Sequence, residues 1–184
     1  MPAYDPYALA FPAAPFTLTS GDFADGAPLP LACYAPERGD GLSPALSWSQ
    51  LPENAESVIL TAYDPDAPIP GGLWHWIVKD IPADAAGLAA GAGAVGGAVL
   101  PEGASHLLND LGEMGYHGVN PPPGTGVHRL VLCATALSVP KLQVPEGAST
   151  ALLHILMIEH TVGRAVLIGT SEASEVSTAG VVAA

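Results

Sequence analysis

Four side chains and one loop in this chain have chemistry to offer. Asp64-Pro65-Asp66-Ala67-Pro68 presents two carboxylates two residues apart. Each residue before a proline is pushed to an extended conformation, so the segment is a stiff, bent, acidic lip. His75 and His128 each stand near the start of an apolar run, beside a segment rich in proline and glycine. An imidazole can donate a ring N–H to an anion and changes charge near neutral pH. The glycine-rich backbone between Gly118 and Gly126 can bring its own N–H groups close to an anion without side-chain obstruction. Two histidines and a carboxylate are also the raw material of a facial metal triad with open positions for catalysis by iron or zinc. Structural roles compete with both readings. A histidine at a strand start is commonly hydrogen-bonded architecture, and an aspartate in a proline turn readily caps nearby backbone.

Charge narrows the choice. Five basic residues stand against 18 acidic ones, for a formal net charge of −13 at pH 7. The five, Arg38, Lys79, Arg129, Lys141 and Arg164, are scattered along the chain. No basic stripe exists to neutralise a phosphate backbone, and the global field repels polyanions, so nucleic acid is excluded as an expected partner. Any anion that binds must be held locally, by imidazoles and backbone N–H groups in a pocket. The first basic residue is Arg38, and Met1–Pro15 has Asp5 and several prolines where a secretory signal has a positive region and an apolar core. This reads as an uncleaved cytoplasmic start. Cys33 and Cys133 then read as reduced core thiols, not as a structural disulfide.

The elements that must position these groups are mostly strands. With 184 residues, 49% of them hydrophobic, the chain can build one core, and 21 Gly and 19 Pro are too many for a helical bundle. We divide it into an N-terminal extension, 1–15, and a single domain, 16–184. Phe16–Ser20 alternates apolar and polar as a half-buried strand does, and Ser57–Asp64 (SVILTAYD) is a nearly continuous run of strand formers that reads as a central strand. Leu73–Asp80 (LWHWIVKD) follows, with alternation placing Trp74, Trp76 and Val78 on one face and His75 on the other. Ala85–Leu100, nearly all alanine and glycine, is too short to span a membrane as a helix and reads as a flexible surface loop. Asn109–Gly126 holds eight Gly or Pro in 18 residues and cannot be helical. Val127–Leu137 is the next strand, with His128 on the face of Leu130 and Leu132. One helix is expected, Ala151–His160, capped by Ser149 or Thr150 and apolar almost all round, hence buried against the sheet. Gly163 should end or weaken it, and Val166–Ile168 should form a last short strand.

Taken in order, Leu42-Ser43-Pro44-Ala45-Leu46-Ser47-Trp48, Asp64-Pro65-Asp66-Ala67-Pro68, Trp74-His75-Trp76, Gly115-Tyr116, Pro121-Pro122-Pro123-Gly124-Thr125-Gly126-Val127-His128-Arg129 and Ala165-Val166-Leu167-Ile168-Gly169-Thr170 resemble the phosphatidylethanolamine-binding proteins. Within that family they are similar to the bacterial Raf-kinase-inhibitor-like branch. The resemblance implies a mainly β fold, a large antiparallel sheet with a second smaller sheet and a C-terminal helix. It also implies a non-enzymatic protein whose pocket takes a phosphate-like anion or a phospholipid headgroup, without a cofactor. Carried over position by position, the pocket is lined by Asp64, Asp66, His75, Pro122 and His128. Regulation of a kinase or protease and a homodimer are further implications. The chain departs from the family at Leu130 and Ser171, where tyrosine is usual, and losing two rings there should widen the mouth of the pocket. A metal-dependent enzyme using two histidines and one carboxylate is the competing reading; no His-Glu-x-x-His or Gly-x-Ser-x-Gly signature supports it or a serine hydrolase.

Overall fold

A computed structural model describes residues 4–94 and 100–173. The described elements are β1 (Ala14–Pro15), β2 (Thr17–Thr19), β3 (Leu46–Ser49), β4 (Ser57–Asp64), β5 (Leu73–Pro82), β6 (Gly87–Leu88), β7 (Ser105–His106), β8 (Val127–Leu137), α1 (Thr150–Met157) and β9 (Thr161–Glu172). Six strands form the large sheet in the order β1-β9-β8-β4-β5-β7, and β2-β3-β6 form the small one. Pairing is antiparallel throughout except at the β1–β9 edge. The expected architecture of a large sheet, a smaller sheet and a C-terminal helix is therefore the one found.

The layers follow from side-chain alternation. Val58, Leu60 and Ala62 of β4 join Trp76, Val78, Leu130 and Leu132 in a core shared with Leu18, Leu46 and Trp48 of the small sheet. Ile59 and Ile77 point the other way, into a second cluster with Leu153 and Met157 of α1. A strand covered on both faces must be apolar at every position, which is why SVILTAYD reads as a continuous run. Cys33 and Cys133 are both free and buried, as expected.

Four local expectations fail, each for a physical reason. Trp74 and Trp76 do not share a face. The register steps from Ala62↔Trp76 to Tyr63↔Trp74, leaving His75 as the extra residue of a β-bulge. Beyond that bulge the alternation resets: Trp76 stays in the inter-sheet core, whereas Trp74 stacks on Tyr63 at 4.4 Å and leans on His154 of α1 at 4.7 Å. The Ala/Gly stretch is not simply a surface loop, because Gly87–Leu88 pairs with β3 and Leu88 and Ala92 are buried. Residues 95–99 of that stretch lie outside the described residues. Helix α1 is capped by Ser149, whose hydroxyl accepts from the Leu152 N–H, but only Leu153 and Met157 are buried while Ile155 is 62% exposed. Finally, Gly163 does not end anything; it lies inside the 12-residue β9. A Cβ there would meet the Pro52 ring at 2.9 Å, so this glycine marks a close approach of another segment.

Candidate functional site

Antiparallel pairing brings three strand ends to one place. β4 ends at Asp64, which pairs with Leu73 at the start of β5, and Tyr63 pairs with Val131 three residues into β8 from His128. The lip, His75 and His128, far apart in sequence, thus share one end of the large sheet.

The central contact is between Asp64 and His128. The His128 Nδ1–H donates to Asp64 Oδ2 at 2.8 Å, in a pair that is almost wholly buried. Asp64 Oδ1 accepts from the Asp66 N–H at 2.8 Å, so the same carboxylate caps the proline turn and orients the imidazole. The turn-cap and site readings of Asp64 hold together. The other edge of the His128 ring meets the proline-glycine loop: Thr125 Oγ1 lies 2.8 Å from His128 Nε2 and 2.7 Å from the Pro122 carbonyl, so its one proton serves either acceptor. The Pro122 and Thr125 residues are exposed, so this loop is the roof over a buried ring.

His75 is held differently. Its Nδ1–H donates to the His117 carbonyl at 2.8 Å, and Asn109 Nδ2 donates to the His75 carbonyl at 3.4 Å. The His75 Nε2 is buried and has no hydrogen-bond partner. Burial lowers the pKa of this imidazole below the usual 6.5, with the His117 carbonyl and the nearby Asp64 carboxylate pulling the other way. A neutral ring has one proton, and it is already on Nδ1. The His75 Nε2 is thus a bare acceptor at neutral pH, where sequence reasoning expected a donor. An unsatisfied buried group of this kind costs on the order of 1–3 kcal/mol.

Asp66 does something else. Its two oxygens accept from Arg129 Nε and Nη2, each at 2.7 Å, and Oδ2 also accepts from the Arg129 N–H at 3.0 Å. The Arg129 hydrogen bonds hold the Asp66 carboxyl below the ordinary carboxylate range. This fork clamps the acidic lip to β8 and commits Asp66 to positioning. Leu130 is fully buried in the inter-sheet core and Ser171 is buried opposite His128.

Sequence reasoning missed His117, Thr125 and Asn109. Only Thr125 had a signal, as a hydroxyl three residues before His128 in a glycine loop; the backbone carbonyl of His117 has none. Gly118 explains how that carbonyl arrives: a Cβ there would meet Ala35 N at 2.4 Å, so the 115–120 segment lies flat against the chain at residues 34 and 35. Among the described residues no three His, Cys, Asp or Glu side chains converge as metal ligands do, and Asp64 is bonded to a histidine where a triad would aim both at an ion.

A two-sheet β fold with one covering helix thus frames a buried His–Asp pair at one end of its central strands. The profile of the phosphatidylethanolamine-binding protein family matches residues 19–172, and the chain belongs to that family. It is 37% identical over 151 residues to the UPF0098 protein YbhB of Escherichia coli, covering 80% of this chain and 94% of that one. The crystal structure of Escherichia coli YbcL, described as a member of the mammalian PEBP family, superposes with a TM-score of 0.81 at 34% identity, covering 86% of this chain and 99% of that one. LppC of Mycobacterium tuberculosis, which bears a lipoprotein name, is 38% identical over 161 residues, covering 87% of this chain and 74% of that one. No helix among the described residues is long and apolar enough to cross a membrane.

Proposed function

We propose that the end of β4, β5 and β8 binds a small phosphate-like anion, free or as a phospholipid headgroup, without catalysing a reaction on it. The observation that carries this reading is the buried, unpartnered His75 Nε2 beside the Asp64–His128 pair. A hydrogenphosphate brings a P–O–H that satisfies His75 Nε2, or the ring takes up a second proton as the anion arrives. The anion also meets His128 Nε2 once Thr125 gives way, through a second P–O–H or through a proton taken up at Nε2 on binding, whose charge Asp64 then stabilises. His75 and His128 are only 3% and 1% exposed, so entry requires the Pro122–Gly126 roof to shift. Affinity therefore rises as pH falls from 8 to 6. Titration calorimetry with sulfate, which has no ionisable proton in this range, separates ring protonation from ligand protonation. Inorganic phosphate and phosphoethanolamine compare the free anion with the headgroup. His75→Ala and His128→Ala should each weaken phosphate binding about tenfold or more, about 1.4 kcal/mol per tenfold. Equal affinity at both pH values together with unchanged binding by both variants would end the proposal.

We further propose that the protein works in the cytoplasm, where two free buried thiols remain reduced, and that the same rim regulates a kinase or protease. Fractionation of cells expressing the native gene tests the location. A captured enzyme that phosphate displaces supports regulation, and one retained equally by His128→Ala argues against it.

A further inference from the structure

A second cleft, of about 740 Å³, lies between α1, the Pro70–Trp74 segment and the N-terminal residues 4–11; neither His75 nor His128 lines it. Its volume is that of a small-molecule site. Tyr63 and Trp74 form an aromatic floor, and Leu9, Phe11 and Ile155, all more than half exposed, line its mouth. The N-terminal segment is tied in place as the front wall. Arg129 Nη1 donates to the Tyr4 carbonyl at 2.7 Å, Arg164 Nη1 donates to the Phe11 carbonyl at 3.1 Å, and the Tyr7 hydroxyl lies 3.4 Å from Thr61 Oγ1.

Asp110 and three threonines also line the cleft, and Asp110 Oδ2 is already engaged by the Trp74 N–H at 2.9 Å, but two polar groups of the wall are incomplete. Arg164 forms no ion pair among the described residues, and its Nε–H is buried without an acceptor. In a protein of net charge −13, a guanidinium left without a carboxylate is conspicuous. His154 donates its Nδ1–H to the Thr150 carbonyl at 2.7 Å, so the Nε2 of the neutral ring is a lone pair, and it too is buried without a partner. Burial keeps this ring neutral, and Arg164 lies near enough to oppose its protonation further. One wall group therefore asks for an anionic acceptor and its neighbour for a donor, above a stacked aromatic floor.

We propose that this cleft is a ligand site for a small aromatic carboxylate that also carries a hydroxyl or N–H donor. The carboxylate meets Arg164, the donor meets His154 Nε2, and the ring system packs on Trp74. This site is separate from the anion site: neither His75 nor His128 contributes to it.

The test uses 6-hydroxy-2-naphthoate and the three molecules made by removing its polar groups: 2-naphthoate, 2-naphthol and naphthalene. Titration followed by tryptophan fluorescence and by calorimetry should give one saturable site per chain for 6-hydroxy-2-naphthoate. Loss of the carboxylate should weaken binding tenfold or more, and loss of the hydroxyl several-fold. Arg164→Met should erase the preference for the carboxylate, and His154→Phe the preference for the hydroxyl. The wild-type ligand series stands even if a variant fails to fold. Saturating inorganic phosphate should leave the titration unchanged. No saturable binding, equal affinity across the four ligands, or displacement by phosphate would each overturn the proposal.

Discussion

The residue that matters most is Asp64, because one carboxylate performs two tasks with two oxygens. Oδ1 caps the lip and Oδ2 fixes the His128 ring with its proton on Nδ1. Removing it leaves a buried imidazole N–H and a turn amide without acceptors. Asp64→Ala should destabilise the fold by about 1–3 kcal/mol for the lost buried partner, measured by urea unfolding, and should abolish phosphate binding. A variant of unchanged midpoint would show that the pair is not held in solution. Asp66 is the contrasting case. Two residues along the same motif, it is engaged by Arg129 on three hydrogen bonds and supports the lip from outside. The motif shows two carboxylates in sequence, but their division of labour depends on where the start of β8 lies.

At the scale of elements, the site depends on two irregularities. The bulge at His75 frees that residue from strict alternation, so that its flanking tryptophans serve opposite faces of the sheet and its ring turns to the His117 carbonyl. Bulges of this kind re-aim a side chain at the end of a sheet. The other device is the flat approach of the 115–120 segment to residues 34 and 35 at Gly118. Gly118→Ala should push this segment away, costing on the order of 1–3 kcal/mol as an overpacking change and weakening phosphate binding through the displaced His117 carbonyl. The check is a chemical-denaturation curve beside a phosphate titration. An unaltered pair of curves would mean that the segment is free to move. Neither device is visible in composition or periodicity, since a strand covered on both faces shows apolar residues whether or not its alternation steps, and a glycine in a loop looks like any other.

For the whole molecule, three histidines, His75, His106 and His154, are pushed below their ordinary pKa, in each case chiefly by burial. Unfolding frees them to protonate at their ordinary value of about 6.5. Below that value the unfolded chain binds more protons than the folded one, so stability is full above it and declines as pH falls toward the folded pKa values. Thermal melts should show Tm steady between pH 8 and 7 and falling between pH 6.5 and 5, well before the salt-bridged Asp66 is protonated. A flat profile from pH 7 to 5 would show that these rings titrate alike in both states. Saturating phosphate should oppose the decline, because a ligand that binds only the folded chain stabilises it.

What the sequence determined by itself was whatever is local or strictly ordered. The strand runs, a helix cap at Ser149 or Thr150, the proline lip and the succession of motifs were all legible, because strand formers, prolines and capping residues act on their own backbone. The convergence of Asp64 with His128 was legible only through family resemblance, since residues 64 positions apart meet by sheet pairing and not by spacing. Tertiary structure alone decided that His75 presents a lone pair, that Asp66 clamps β8, and that a second cleft forms under the N-terminal segment. In each of these the deciding partner is a backbone carbonyl, a guanidinium or a wall supplied by a distant part of the chain. Such a partner leaves no periodic trace in the residue it meets.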